Sequence, residues 1–234
     1  CSFASSWTRF CMTSLALLQM VSPALPVGAF SYSEGLEVLI QSGALRDEYE
    51  IEMWLAAELE RGALRFEAAA LPELSLDLRL WTKNGDSTAR SRLIDLDGWL
   101  LATREVAEVR VQQRQMGSAL LKLLSDMNHP LPEVLSLSWP AAWAWASMSL
   151  QVTDRDMVEG YLYSWVANQL SAAVRLVPLG PVCAQVIQRR MAPKIVAAAE
   201  ALSGRTVSEL WSGGVGASMA QLAHGELYSR LFRN

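Results

Sequence analysis

Residues Asp97–Met127 read DGWLLATREVAEVRVQQRQMGSALLKLLSDM, and the periodicity of this stretch decides the fold class. Leu100, Leu101, Val106, Val109, Met116, Leu120, Leu123 and Leu124 recur at three- and four-residue steps, the spacing that lines up one face of an α-helix. Arg104, Glu105, Glu108, Arg110, Gln112, Gln113 and Arg114 fall on the other face, which predicts a solvated surface there. Asp97 is a residue type that caps helix N-termini, so one long helix is expected from it to about Met127.

The same reading extends in both directions. Upstream, Leu15–Val21 is a short apolar helix ended by Pro23 and Pro26, and Ser33–Ser42 is helical with Gly43 as its C-terminal glycine. Asp47-x-x-Glu50 resembles a capping box and opens a helix bearing Ile51, Trp54, Leu55, Leu59 and Ala63. Pro72 is expected to stop or kink it, and a further helix over Glu73–Thr82 ends at the Lys83-Asn84-Gly85-Asp86 turn. Downstream, Asn128–Pro132 is a linker and Glu133–Gln151 is helical, bent or broken at Pro140. Thr153-x-x-Asp156 caps a helix to Val177, Pro181 starts another to Leu202, and Thr206-x-x-Glu209 caps a short one. Gly213-Gly-Val-Gly216 reads as a hinge before a last helix from Ala217 to about Leu227. No stretch sustains period-two alternation with β-branched residues. The expected fold is all-α: a single-domain helical bundle of about eight to ten helices.

Composition narrows the function. At 234 residues the chain can bury a substantial core; apolar residues make up 51% and charged residues only 19%, so part of the surface is expected to be covered by another protein. A formal net charge of −4 provides no basic footprint for nucleic acid. No stretch supplies the roughly 20 uninterrupted apolar residues of a membrane span. Leu15–Val21 behind Arg9 is too short, with Gln19 inside it, to read as a signal-peptide core, and a cytoplasmic location is expected.

Catalytic chemistry finds no foothold. The cysteines (Cys1, Cys11, Cys183) and histidines (His129, His224) are far apart, without the paired spacings of a zinc site. No G-x-x-x-x-G-K-[ST] loop exists. His129 reads as a solvated turn residue, His224 as a partner for helix C-terminal carbonyls, and Cys183 as a core cysteine. The pairs Glu58/Glu60 and Glu105/Glu108 read as solvated helix surface, and Trp139, Trp143 and Trp145 as core. No catalytic residue, metal ligand or cofactor is expected.

The last seven residues, Tyr228-Ser-Arg-Leu-Phe-Arg-Asn234, hold two aromatics, a leucine and two arginines without an acid. These residue types anchor protein–protein contacts, although Leu231 and Phe232 could equally pack back on the chain's own core. Four stretches, Ser22–Glu37 (SPALPVGAFSYSEGLE), Thr103–Leu124, Tyr161–Pro181 (YLYSWVANQLSAAVRLVPLGP) and His224–Asn234 (HGELYSRLFRN), together resemble the urease accessory protein UreF family in order and spacing, from about Leu17 to the C-terminus.

The resemblance implies an all-helical homodimer without catalysis of its own. Such a protein bridges the scaffold UreD (or UreH) and the GTPase UreG, and gates GTP-dependent nickel insertion into the urease apoprotein. It implies partner-binding roles for Pro26, Gly28, Phe30, Tyr32, Glu37, Arg175, Pro178, His224, Tyr228, Ser229, Arg230, Leu231, Phe232 and Arg233, with 224–234 as a docking tail that orders on contact with the scaffold. Residues 1–11 match nothing in the family; Met12 is the expected native start, with 1–14 a disordered extension before a UreF-like domain over 15–234. Gly225, Leu227, Asn234, Ala29 and Pro181 depart from the family pattern. The competing readings are a small helical enzyme and an unrelated helical oligomerisation module.

Overall fold

A computed structural model describes residues 15–233; the 1–14 extension, with its expected start at Met12, and Asn234 lie outside the described residues. Among the described residues every regular element is helical. Helix α1 covers residues 15–20. It is followed by α2 (Leu36–Gln41), α3 (Glu48–Arg61), α4 (Leu64–Asn84), α5 (Ser87–Ala102) and α6 (Ala107–Asp126). Then come α7 (Trp139–Ser149), α8 (Asp154–Leu176), α9 (Pro181–Leu202) and α10 (Val215–His224). Short 3-10 turns occupy Ala29–Ser31 and Val207–Glu209. No helix among the described residues is long and apolar enough to cross a membrane.

Several helix ends follow from local chemistry. Asp47 accepts the Glu50 amide at 2.9 Å and Thr153 the Asp156 amide at 3.1 Å, while Thr206 and Glu209 form a reciprocal capping box. Others depart from the sequence reading. Pro72 does not end a helix: α4 runs straight through it, and the break falls at Gly62 instead. An internal proline removes one intrahelical bond, and the fully buried Leu71, Leu74 and Leu78 on the core face hold the helix together around it. Residues 128–138 are not helical; α7 begins at Trp139, with Pro140 in its first turn where a missing N–H costs nothing.

The long helix expected over Asp97–Met127 is two helices. Residues 103–106 leave the helical path between α5 and α6, and α5 begins ten residues before Asp97, at the Asp86 cap. Asp97 therefore caps α7 across space. Its Oδ1 takes the Ser138 amide at 2.9 Å, and its Oδ2 takes Arg114 at 2.6 Å. Gly117 makes this junction possible, because a Cβ there would sit 2.3 Å from the Leu137 carbonyl oxygen.

α4 is the central helix, packed on α5, α7 and α8, and α9 lies against α8 and α3. Trp143 and Tyr161 meet edge-on at 5.7 Å in the core, with Trp139 and Trp145 also buried, as expected of that aromatic run.

Candidate docking site at the C-terminal clasp

The chain leaves α10 and returns over the 28–41 segment. Glu37 is the centre of this contact and is fully buried. Its carboxylate accepts the Leu231 amide at 2.6 Å, the Phe232 amide at 3.2 Å and Gln41 Nε2 at 3.3 Å. His224 Nε2 lies 3.0 Å from Glu37 Oε2, with both side chains buried; the tautomer carrying hydrogen on Nε2 donates to it. One carboxylate thus satisfies two amides of an irregular segment that has no helix or sheet to pair with.

Phe232 is buried at 4% exposure, and the Arg175 guanidinium lies 4.5 Å from its ring centroid. Arg175 also donates to the Phe30 carbonyl at 3.0 Å, and the Arg233 amide donates to the Ser31 carbonyl at 2.9 Å. Arg230 donates to the Gly225 carbonyl. Gln41 reaches the Ser229 carbonyl at 3.5 Å.

The structure therefore brings together Phe30, Glu37, Arg175, His224, Ser229, Leu231, Phe232 and Arg233 from segments distant in sequence. Tyr32 turns away, is buried, and donates to Gln115 at 2.7 Å. Pro26 and Pro178 make no hydrogen bond to the tail, and Gly28 has the positive φ of 75° that opens the Ala29–Ser31 turn on which the tail rests. Tyr228 makes no buried contact and is fully exposed. Leu231 is half exposed, and on α10 Val215, Met219 and Leu222, at four- and three-residue steps, form an exposed apolar stripe. His224 is thus a buried partner of a side chain, where the sequence suggested one for helix carbonyls. Gln41 and Ser31 were missed; a polar side chain and a backbone carbonyl that meet the tail only in three dimensions leave no signal in spacing.

Three further expectations are corrected, the first only in part, since Cys183 does pack against the core. Cys183 is partly exposed and donates from Sγ to Glu48 at 2.6 Å, a bond that raises the thiol's pKa. Arg104, Gln112 and Gln113, read as solvated, are buried. Arg104 donates to Glu67 Oε1 at 2.9 and 2.6 Å, Gln113 donates to the same oxygen at 3.3 Å, and Tyr161 donates to Glu67 Oε2 at 2.8 Å. Burial disfavours the Arg104 charge, but Glu67 and Glu34 outweigh it and raise the pKa. Burial, then Glu67, pushes Tyr161 well up. Glu58, also read as solvated, is half-buried, and the desolvation there pushes its carboxyl up to about 7.

Among the described residues no group of three or more His, Cys, Asp or Glu could hold a metal ion. The arrangement defines an all-helical protein whose assembled feature is a terminal segment clasped to its own body beside an exposed apolar stripe. Comparison with known proteins agrees: residues 45–192 match the UreF family model. A "Urease accessory protein UreF" of Prochlorococcus marinus subsp. pastoris is 38% identical over 218 residues, 92% of this chain and 96% of that protein. Proteins of the same name from Microcystis aeruginosa (38% over 223 residues, 94% and 97%) and Trichormus variabilis (36% over 231 residues, 94% and 95%) are similarly close. The chain belongs to the UreF family.

Proposed function

We propose that this chain is a urease maturation factor, a non-catalytic cytoplasmic assembly protein. It bridges, as a homodimer, the UreD/UreH scaffold and the UreG GTPase and gates GTP-dependent insertion of nickel into the urease apoprotein. The observation that carries this reading is the surface at the C-terminal end: Tyr228 and the α10 residues Val215, Met219 and Leu222 expose apolar area beside a tail held by Glu37 and Arg175. Large apolar side chains left exposed along one helix and on the segment that follows it favour a protein partner. Membership of the UreF family, with relatives named urease accessory proteins, supports a partner within urease maturation.

Phe30, Arg175 and the 224–233 tail are the residues assigned to partner contact. In this reading Tyr228, Leu231 and Arg230 face the scaffold, and Arg230→Ala weakens that complex by about 2 kcal/mol. The test is co-expression of tagged chain, with and without residues 224–234, together with its cognate UreD and UreG, followed by size exclusion with light scattering. A complex with paired copies of each protein, lost on deletion of the tail, supports the reading. A solitary species that ignores both partners overturns it.

A further inference from the structure

A cavity of about 520 Å³ lies between the 20–34 segment, α6, α8 and α9, on the far side of the Glu34–Gly35 turn from α10. Its polar end is built from Glu34, Glu67, Gln112 and Gln113. Gln112 spends its amide nitrogen on Glu34 Oε1 at 3.3 Å, and Gln113 spends its own on Glu67. Their carbonyl oxygens are left buried without a donor, in side chains that are 2% and 3% exposed. Buried acceptors without donors are costly, and these two outnumber the one orphaned donor in the lining, Gln188 Nε2, so the balance favours a guest that donates hydrogen bonds.

The charge at this end points the same way. Glu34 and Glu67 are both buried, and Arg104 is the cation set against them. A surplus buried carboxylate must take a proton or a cation. The walls include Trp139, Tyr161 and Trp165, and aromatic faces attract cations. Trp165 Nε1 holds Glu34 Oε2 at 3.1 Å, fixing the carboxylate in place.

The backbone at Glu34 is itself strained. Its φ of 51° is in the left-handed region, followed by Gly35 at 89°. α10 keeps it there, with Gln221 Nε2 on the Glu34 carbonyl at 3.3 Å and Ala220 against Gly35. The strain sets the Glu34 carboxylate into the cavity wall. An anion would meet two carboxylates, and a purely apolar guest would leave both amide oxygens unpaired.

We propose that this cavity binds an organic ammonium ion. Glu34 and the amide oxygens of Gln112 and Gln113 take its N–H donors, and Val27, Met116 and Leu170 cover its apolar body. The titratable groups around Glu34 are Arg104, Glu67, Glu58 and the neutral phenol of Tyr161. Burial raises the pKa of Glu34 and a cation bound beside it lowers it, so binding is coupled to proton release from that carboxyl.

Calorimetric titration of the full chain with n-butylammonium chloride, and with n-butanol as the neutral isostere, tests this in two buffers of different ionisation enthalpy. The expected result is one saturable site per chain, butanol at least tenfold weaker, and a buffer-dependent heat that reports proton release. Glu34→Gln is expected to weaken butylammonium at least tenfold and abolish the proton release while leaving butanol unaffected. Gln112→Met, which leaves the strained turn intact, is expected to weaken butylammonium without touching butanol, and it decides the matter should Glu34→Gln unfold. Absence of saturation, equal affinity for butanol, or wild-type affinity in both variants overturns the proposal.

Discussion

The Arg175 guanidinium stacks 4.5 Å from the Phe232 ring while donating to the Phe30 carbonyl at 3.0 Å, so one side chain ties the start, the middle and the end of the chain together. The tail is thereby held by two kinds of force. Ring burial and cation–π attraction act on Phe232, and the Glu37 carboxylate holds the backbone amides beside it.

Removing the ring frees the segment. Phe232→Ala is expected to raise amide hydrogen exchange at Leu231 and Phe232 by about thirtyfold, corresponding to about 2 kcal/mol of lost apolar burial. Arg175→Ala is expected to raise it by about tenfold or less, since the cation–π contact and one carbonyl bond are smaller terms. Unchanged exchange in both variants would show that the ring does not hold the tail.

The carboxylate is expected to matter more for global stability. Glu37→Ala strips partners from the Leu231 and Phe232 amides, from Gln41 and from His224, and should cost about 3 kcal/mol in urea unfolding. His224→Ala removes one contact among four and should cost less than half as much. Equal losses would place the weight on the imidazole.

Glu67→Gln leaves Arg104 buried opposite a neutral amide. Breaking a buried ion pair from one side costs about 3–5 kcal/mol, and because Glu34 still faces Arg104 the loss should fall at the lower end, about 3 kcal/mol. Exposed Glu105→Gln, on the neighbouring turn, should change stability by about 0.5 kcal/mol or less. Urea midpoints of the two variants check the contrast.

Glu58 makes stability depend on pH. Its folded pKa, raised to about 7 from 4.5, means that the fold binds the proton more tightly than the unfolded chain does. The contribution is complete below about pH 4.5 and is lost as pH rises through about 7, amounting to about 3 kcal/mol at most. Stability of the wild type relative to Glu58→Gln should therefore fall across that window, as measured by urea unfolding from pH 4.5 to 8. Glu34, raised in the same direction by burial, keeps part of the slope in the variant. A difference independent of pH would show that folding leaves the Glu58 pKa unshifted.

What the sequence revealed, and what it did not, follows the range of the interactions. Asp47, Thr153 and Thr206 were legible as caps because the cap and the amide it accepts lie three residues apart. The all-helical class was legible because apolar periodicity survives in almost every segment. The break over residues 103–106 carries neither glycine nor proline. It exists because Arg104 reaches Glu67, 37 residues away, and its carbonyl accepts from Arg110 at 2.5 Å. Still larger separations, 135 and 194 residues, hid the pairing of Cys183 with Glu48 and of Glu37 with the Leu231 amide. Polar residues on the core face of α6 were read as surface because a residue type alone does not reveal a buried partner. Pro72 misled for the opposite reason, since a strong local signal was overridden by packing.

The clasp also sets how available the tail is to anything else. A partner that needs the Phe232 ring binds only those molecules in which the ring has left Arg175, and its apparent dissociation constant is the intrinsic one divided by the released fraction. Were about one molecule in a hundred released at any moment, apparent affinity would drop about a hundredfold, and the tail would respond only to partners present at high local concentration. Self-occupancy of the tail is in that sense a concentration filter, written into the chain by Glu37 and Arg175.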